Sequence, residues 1–100
     1  MKKILLVCSA GMSTSLLVTK MREAAKQKGV EVGIDALPVA EASTAVDHVD
    51  IVLLGPQVRF QKATVEKLVK GRIPVEVMDM RLYGTVNGKA ILEDALQKMN

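Results

Sequence analysis

The stretch Lys3-Ile4-Leu5-Leu6-Val7-Cys8-Ser9-Ala10-Gly11-Met12-Ser13-Thr14-Ser15 decides the fold of this chain. Its apolar run, which ends at Cys8, is typical of a strand buried on both faces of a parallel sheet. A loop of mostly small residues follows and leads directly into a helix, which we expect to end at Gly29. The apolar residues at helical spacing in that helix are Leu16, Leu17, Met21, Ala24 and Ala25.

Three later segments predict further strands. Residues 30–36 alternate apolar and polar side chains, which indicates an edge strand closed by Pro38. The run Ile51 to Leu54 is fully apolar and is bounded by Gly55 and Pro56, so it predicts a second buried strand. Residues 74–78 give a last, short strand.

Helical patterns separate these strands. They predict a short helix over residues 39–46, a helix that contains Val65, Leu68 and Val69 before Gly71, and a C-terminal helix entered near Asn87 and Gly88. Alternating strands and helices require right-handed crossovers and a parallel sheet with helices on both faces. We therefore predict one α/β domain over residues 1–100, with an open four-stranded parallel sheet in the flavodoxin-like order 2-1-3-4.

Composition excludes several classes of function. The net charge of +3 comes from scattered residues and aromatic side chains make up only 2% of the chain, which argues against nucleic-acid binding. No apolar run approaches the roughly 18 residues that a membrane span needs, so we expect a cytoplasmic protein. With one Cys and one His, the chain offers neither an internal disulfide nor a usual zinc site, and we expect no metal and no cofactor.

The loop after Cys8 has the features of an anion-binding site. Backbone N–H groups in a loop of small residues can point inward, and the N-terminus of the following helix adds partial positive charge. The hydroxyl groups of Ser9, Ser13, Thr14 and Ser15 can donate further hydrogen bonds. The same field favours the thiolate of Cys8, which is the nucleophilic form of cysteine.

The residue at position 14 distinguishes two uses of such a loop. A phosphatase of the Cys-x5-Arg type needs an arginine there to clamp the phosphoryl oxygens, whereas this chain has Thr14. Hydrolysis is therefore disfavoured, and a phosphocysteine formed at Cys8 should persist until another protein supplies the missing groups. Such persistence is what a phosphoryl carrier needs.

These residues resemble the enzyme IIB components of the lactose, cellobiose and chitobiose class of bacterial sugar phosphotransferase systems. The resemblance rests on the phosphocysteine loop quoted above, on Leu53-Leu54-Gly55-Pro56-Gln57-Val58, and on Asp79-Met80-Arg81-Leu82-Tyr83-Gly84 before the helix at Gly88. It spans the chain. The fold it implies, which is similar to that of low-molecular-weight tyrosine phosphatases, agrees with the predicted sheet.

The resemblance also implies an activity and its partners. Cys8 would accept a phosphoryl group from a phosphohistidine of enzyme IIA and deliver it to a disaccharide of cellobiose, chitobiose or lactose type. That sugar would be bound by the membrane-embedded enzyme IIC, so the carrier would dock at the inner face of the cell membrane. The phosphate cradle would be the main chain of Ser9, Ala10, Gly11, Met12, Ser13, Thr14 and Ser15.

Polar residues beyond the other strands are candidates for crevice or partner contacts. Gln57 and Arg59 follow the third strand, and Asp79 and Tyr83 follow the fourth. His48 precedes the third strand, at the opposite end of the sheet from Cys8, which argues against a catalytic pair.

Two rival functions remain open from the residues themselves. A flavodoxin-like fold can hold a flavin or another mononucleotide in the same loop, although few aromatic side chains are available to sandwich a flavin ring. A thiol redox protein is the other rival, although no second cysteine exists to resolve a mixed disulfide.

Overall fold

The computed structural model describes residues 1–8 and 12–99, without the side chains at positions 12 and 13. Its strands are β1 Lys2–Cys8, β2 Val32–Pro38, β3 Ile51–Leu54 and β4 Val75–Val77. Its α-helices are α1 Met12–Lys28, α2 Lys62–Val69, α3 Met80–Gly84 and α4 Gly88–Lys98. Short 3₁₀ helices cover Val39–Thr44, Val46–His48 and Pro56–Gln61.

The strands form one parallel sheet in the order β2-β1-β3-β4, as the sequence predicts. The two most apolar strands, β1 and β3, are central, because a strand buried on both faces needs neighbours and helices on every side. Alternate residues of β1 enter different cores. Ile4 and Leu6 pack with α1 and α4, whereas Leu5 and Val7 pack with α2 and the 3₁₀ segments.

Several predicted boundaries were wrong. The edge strand is shifted by two residues and includes Pro38, which pairs with Cys8. Proline is tolerated there because an edge strand has no second neighbour that needs its missing N–H. The helix predicted over residues 39–46 is two 3₁₀ helices, since Ala45 leaves helical conformation at φ −120°.

One predicted core residue was also wrong. Leu16 belongs to the apolar pattern of α1, but it is 52% exposed. The other members of that pattern, Leu17, Met21, Ala24 and Ala25, are buried against the sheet and α4. The pattern locates the buried face of the helix correctly and includes one residue beyond its margin.

Candidate functional site

The carboxyl ends of three strands meet at one edge of the sheet. Val7 in β1 lies beside Leu54 in β3, and Leu54 lies beside Val77 in β4. The main-chain pairing continues past the strands, because Gly55 N–H donates to Val7 O at 2.8 Å. The carboxyl ends of β1, β3 and β4 therefore lie side by side, as expected for a binding edge of an open α/β sheet.

Cys8 is the last residue of β1 and is 1% exposed. Strand alternation puts its side chain on the face of Ile4 and Leu6, which α1 and α4 cover. Helix α1 begins only four residues later, at position 12, and its first turn contains no acidic residue. Its N-terminal partial charge therefore has no opposing carboxylate in the first turn, an arrangement that suits a bound anion.

The predicted phosphate cradle lies only partly within the described residues. Ser9, Ala10 and Gly11 fall outside them, as do the side chains of Met12 and Ser13. Thr14 is 1% exposed in the first turn of α1. Ser15 is exposed. The two described side chains of the cradle thus differ sharply, because only Thr14 is inside the protein.

A hydrogen-bonded chain joins the three segments at this edge. The hydroxyl groups of Thr14 and Tyr83 are 3.4 Å apart, and Gln57 Nε2 donates to Tyr83 Oη at 3.1 Å. Thr14 follows β1, Gln57 follows β3 and Tyr83 lies in α3, which follows β4. Two of the predicted crevice residues, Gln57 and Tyr83, are therefore brought together with one residue of the predicted cradle.

An open cleft lies between the 3₁₀ helix Pro56–Gln61 and α3. Its walls include Phe60 and Met80, which are 75% and 63% exposed. Arg59 lines the same cleft and is also exposed, so the predicted crevice residue lies on its rim. Large apolar side chains this exposed are typical of surfaces that contact other molecules.

Asp79 caps the short helix α3. Its carboxylate accepts hydrogen bonds from the N–H groups of Arg81 and Leu82, at 2.8 and 3.1 Å, and so caps the N-terminus of α3. Capping satisfies donors that a helix start otherwise leaves without partners. Asp79 thereby fixes the short helix that carries Tyr83.

The remaining candidate ligands lie elsewhere. His48 is exposed in the 3₁₀ helix that precedes β3, at the opposite end of that strand from Gly55. Within residues 1–8 and 12–99, no group of three or more His, Cys, Asp and Glu side chains is arranged to hold a metal ion. None of the helices in the described ranges has the length and apolar character needed to cross a membrane.

Sequence reasoning missed helix α3 and the exposed pair Phe60 and Met80. The helix has only five residues, too few for a periodic pattern, although Asp79 is a typical N-cap residue and was a usable signal. The exposure of Phe60 had no signal, because the sequence does not show which side of a 3₁₀ turn faces solvent. The contact between Thr14 and Tyr83 spans 69 positions and depends on the assembled sheet.

Comparison with known proteins adds curated relatives. The chain is 49% identical over 100 residues to the oligo-beta-mannoside-specific EIIB component of the phosphotransferase system (PTS) of Bacillus subtilis, and the match covers 99% of this chain and 97% of the relative. Galactose-specific and cellobiose-specific EIIB components of Lactococcus lactis are each 42% identical over 105 residues, with the same coverage.

Solved structures give the same result for the fold. The cellobiose-specific IIB component of Borrelia burgdorferi is 43% identical, with a TM-score of 0.82 over 99% of this chain and 92% of that one. The lactose-specific IIB domain of Streptococcus pneumoniae has a TM-score of 0.88, and the match covers 99% of this chain and 98% of that one. At 18% identity this likeness shows the fold alone. A mutant of YwlE from Bacillus subtilis represents the low-molecular-weight tyrosine phosphatase fold. Its TM-score is 0.56 at 11% identity, and the match covers 99% of this chain and 94% of that one.

The family assignment comes from a model of the whole domain. The family described as "PTS system, Lactose/Cellobiose specific IIB subunit" matches residues 3–94, which include β1, the segment after β3, and α3. Together with relatives that match over nearly their full length, this match assigns the chain. The protein therefore belongs to the lactose/cellobiose-specific IIB subunits of the sugar phosphotransferase system.

Proposed function

We propose that Cys8 carries a phosphoryl group between two partner proteins, from a phosphohistidine of enzyme IIA to a sugar bound by enzyme IIC. The observation that carries this proposal is the position of the chain's single cysteine. Cys8 ends a central strand, and α1 begins four residues later with no carboxylate in its first turn. Membership of the IIB family supports the same assignment.

The first transfer loads the carrier. The Cys8 thiolate attacks the phosphorus of the phosphohistidine, an S–P bond forms and the P–N bond breaks. The imidazole of enzyme IIA leaves with the electron pair of that bond. Thiolate is the form of cysteine that acts as a nucleophile. The N-terminal partial charge of α1 favours the anionic phosphoryl group after transfer.

The second transfer unloads the carrier. A hydroxyl oxygen of the sugar attacks phosphorus, the S–P bond breaks, and its electron pair returns to Cys8 as thiolate. The hydroxyl proton passes to a base of enzyme IIC or to water. The carrier ends in its starting state, so each cycle moves one phosphoryl group from protein to sugar.

Between the transfers the adduct must survive. Thr14 occupies the position at which a cysteine phosphatase would place its arginine clamp. Without that cation, transition-state stabilisation for attack by water is reduced, because a guanidinium group supplies charge and two hydrogen bonds where negative charge develops. The phosphocysteine is therefore hydrolysed slowly and persists until the protein meets a partner.

We infer that residues 1–100 act as one phosphocarrier domain in the cytoplasm, docking at the inner face of the membrane through enzyme IIC. The family match over residues 3–94, and matches that cover 97% of the length of each of the three relatives, support the single domain. Membership of the IIB family supports the location and the docking. For the acceptor we propose a disaccharide of cellobiose, chitobiose or lactose type. Relatives named for oligo-beta-mannoside, galactose and cellobiose are 49%, 42% and 42% identical to this chain, and these values do not single out one sugar. In this proposal the sugar pocket belongs to enzyme IIC.

The test is sugar phosphorylation in a reconstituted system that contains phosphoenolpyruvate, the general phosphotransferase proteins, enzyme IIA and membranes bearing enzyme IIC. Cys8→Ser should abolish sugar phosphate formation, because the serine hydroxyl is a far weaker nucleophile without an activating base. Ser43→Ala, a small change at an exposed position, should retain the rate of the unmodified protein. Sugar phosphorylation retained by Cys8→Ser would overturn the proposal.

A further inference from the structure

Thr14 is the buried polar side chain in the described part of the chain that most needs an explanation. It is 1% exposed, and the buried residues around the sheet are otherwise apolar. A buried hydroxyl without a partner costs free energy, so its hydrogen bonds must be accounted for. Its partner is the hydroxyl of Tyr83, a residue 69 positions away.

The direction of donation along this chain follows from the chemistry of its groups. Gln57 Nε2 carries only donor hydrogens, so Tyr83 Oη accepts from it. The Tyr83 hydroxyl is then placed to donate its own proton to Thr14 Oγ1, 3.4 Å away. Either hydroxyl can donate in that contact; when Tyr83 donates, Thr14 accepts and its own proton is left for an acceptor on its other side.

The surroundings of Thr14 suggest the acceptor. Thr14 lies in the first turn of α1, the helix that begins four residues after Cys8. The side chains that orient it, Gln57 and Tyr83, are neutral. Of the nearest cationic residues along α1, Lys20 is exposed, and Arg22 pairs with Asp35 and Ile34 O. A chain of neutral donors that ends in the first turn of this helix is suited to an oxygen of a phosphoryl group on Cys8.

We propose that Tyr83 is a positioning residue, whose hydroxyl holds Thr14 so that the Thr14 hydroxyl donates to the phosphoryl group carried on Cys8. This inference rests on the proposed function. It assigns Tyr83 an effect on transfer without contact with the phosphate, and it assigns Gln57 the task of directing the Tyr83 proton toward Thr14. Helix α3 is thereby part of the site.

A hydrogen-bond donor of this kind affects the saturated rate of phosphoryl transfer and not the half-saturating concentration of enzyme IIA. Negative charge is spread over the phosphoryl oxygens during transfer, so a pre-oriented donor stabilises that state. Thr14 is buried, so its hydroxyl is not on the surface open to a partner, whereas Gln57 and Tyr83 line the open cleft. Loss of the Thr14 hydroxyl should therefore lower the rate of phosphoryl transfer at saturating enzyme IIA and leave the half-saturating concentration of enzyme IIA unchanged.

The experiment measures single-turnover transfer from phosphorylated enzyme IIA to Cys8. The variants are Tyr83→Phe and Thr14→Val, singly and together. Each single variant should lower the saturated rate about fivefold, the factor that corresponds to one net hydrogen bond. The double variant should be no slower than either single one, because both remove the same chain of donation. Thr14→Ser, which keeps the hydroxyl, should restore the rate to within about twofold.

A matched control removes a hydroxyl elsewhere. Thr44 donates to Glu41 O at 2.7 Å in an exposed 3₁₀ helix. Thr44→Val deletes the same group as Thr14→Val and should not change the transfer rate. Urea unfolding of every variant shows whether a loss of folded protein accounts for any slower transfer.

Several results would overturn the inference. They are multiplicative losses in the double variant, a saturated rate unchanged by Tyr83→Phe, or a Thr14→Ser variant as slow as Thr14→Val. If these appear while the unmodified protein is phosphorylated on Cys8, only the role of Tyr83 fails. If the unmodified protein gains no phosphoryl group, the proposed function fails and the inference fails with it.

Discussion

A side chain added at either Gly55 or Gly88 would collide with a neighbouring part of the molecule. At Gly88 it would meet helix backbone, whereas at Gly55 it would meet another side chain. A Cβ atom at Gly88 would lie 2.7 Å from two main-chain atoms of α1, Lys20 C and Met21 N. A Cβ atom at Gly55 would lie 2.5 Å from Gln57 Oε1, the tip of a flexible side chain. Packed helix backbone cannot yield to such a contact, whereas a side-chain tip can move away.

The contact at Gly88 holds the fold together. Gly88 is buried at the first position of α4, and Asn87 caps that helix through a hydrogen bond to Ala90 N–H at 3.1 Å. The close approach lets Ile91 and Leu92 enter the core that α1 and α4 share with the sheet. The absence of a side chain at Gly88 thus sets the distance between the two helices.

The contact at Gly55 serves the site instead. Its backbone, at φ −63° and ψ 148°, is accessible to any residue, so conformation does not require glycine there. What requires glycine is the amide of Gln57, which folds back over it and reaches Tyr83 Oη. The comparison teaches that the site of this protein can be altered without breaking its fold.

The largest effect is expected from Gly88→Ala. Overpacking against the α1 backbone should lower the free energy of unfolding by about 3 kcal/mol, at the upper end of the usual range for such changes. Urea denaturation measures the loss. Gly84→Ala is the matched control, because a Cβ atom there meets nothing within 4 Å. Equal stability for the two variants would contradict the role given to Gly88.

A smaller effect is expected when α3 loses its cap. Asp79→Ala removes the acceptor for two main-chain N–H groups and should cost about 1 kcal/mol of stability. Because α3 carries Tyr83, the same change should also slow transfer to Cys8. Asp79→Asn retains a capping oxygen and should preserve most of the stability and most of the transfer rate. If Asp79→Asn and Asp79→Ala lose equal stability and equal rate, the cap is not the cause.

Gly55→Ala tests the other side of the comparison. Stability should stay within about 0.5 kcal/mol of the unmodified protein, since the backbone conformation suits alanine. Transfer should slow by up to about fivefold, because the new methyl group displaces the amide that donates to Tyr83. In a Gln57→Ala background the same change should have no further effect. A loss of stability comparable to that of Gly88→Ala would remove the distinction between the two glycines.

The smallest effect is expected far from both glycines, at Lys98. The pKa of Lys98 is raised above its ordinary value of 10.5, chiefly by its hydrogen bond to Asp94 and further by Glu76. A group whose pKa is raised on folding stabilises the folded state at every pH below its unfolded-state pKa. That stabilisation is lost as the pH rises through the folded-state pKa. The difference in melting temperature between the unmodified protein and Lys98→Gln should therefore shrink above pH 10.5, by a small amount because the group is exposed. A difference that does not change with pH would contradict this.

The sequence predicts the sheet well and the site in part. The apolar runs that end at Cys8 and Leu54 determine which strands are central. Because consecutive strands tend to be neighbours, the order β2-β1-β3-β4 then follows. The roles of Gly55 and Gly88 could not be read in the same way, because each depends on what another element brings within a few ångströms. The contact of Thr14 with Tyr83 is of the same kind, since both strand exits must be in place before the two hydroxyls meet.

The central claim, that Cys8 carries the phosphoryl group, is tested most directly by intact mass measurement. The protein is incubated with phosphoenolpyruvate, the general phosphotransferase proteins and enzyme IIA, and the product is then treated with iodine, which cleaves S–P bonds. The account predicts a gain of one phosphoryl group that iodine removes and that Cys8→Ser never acquires. No gain with any enzyme IIA, or an adduct that persists in Cys8→Ser, would contradict it.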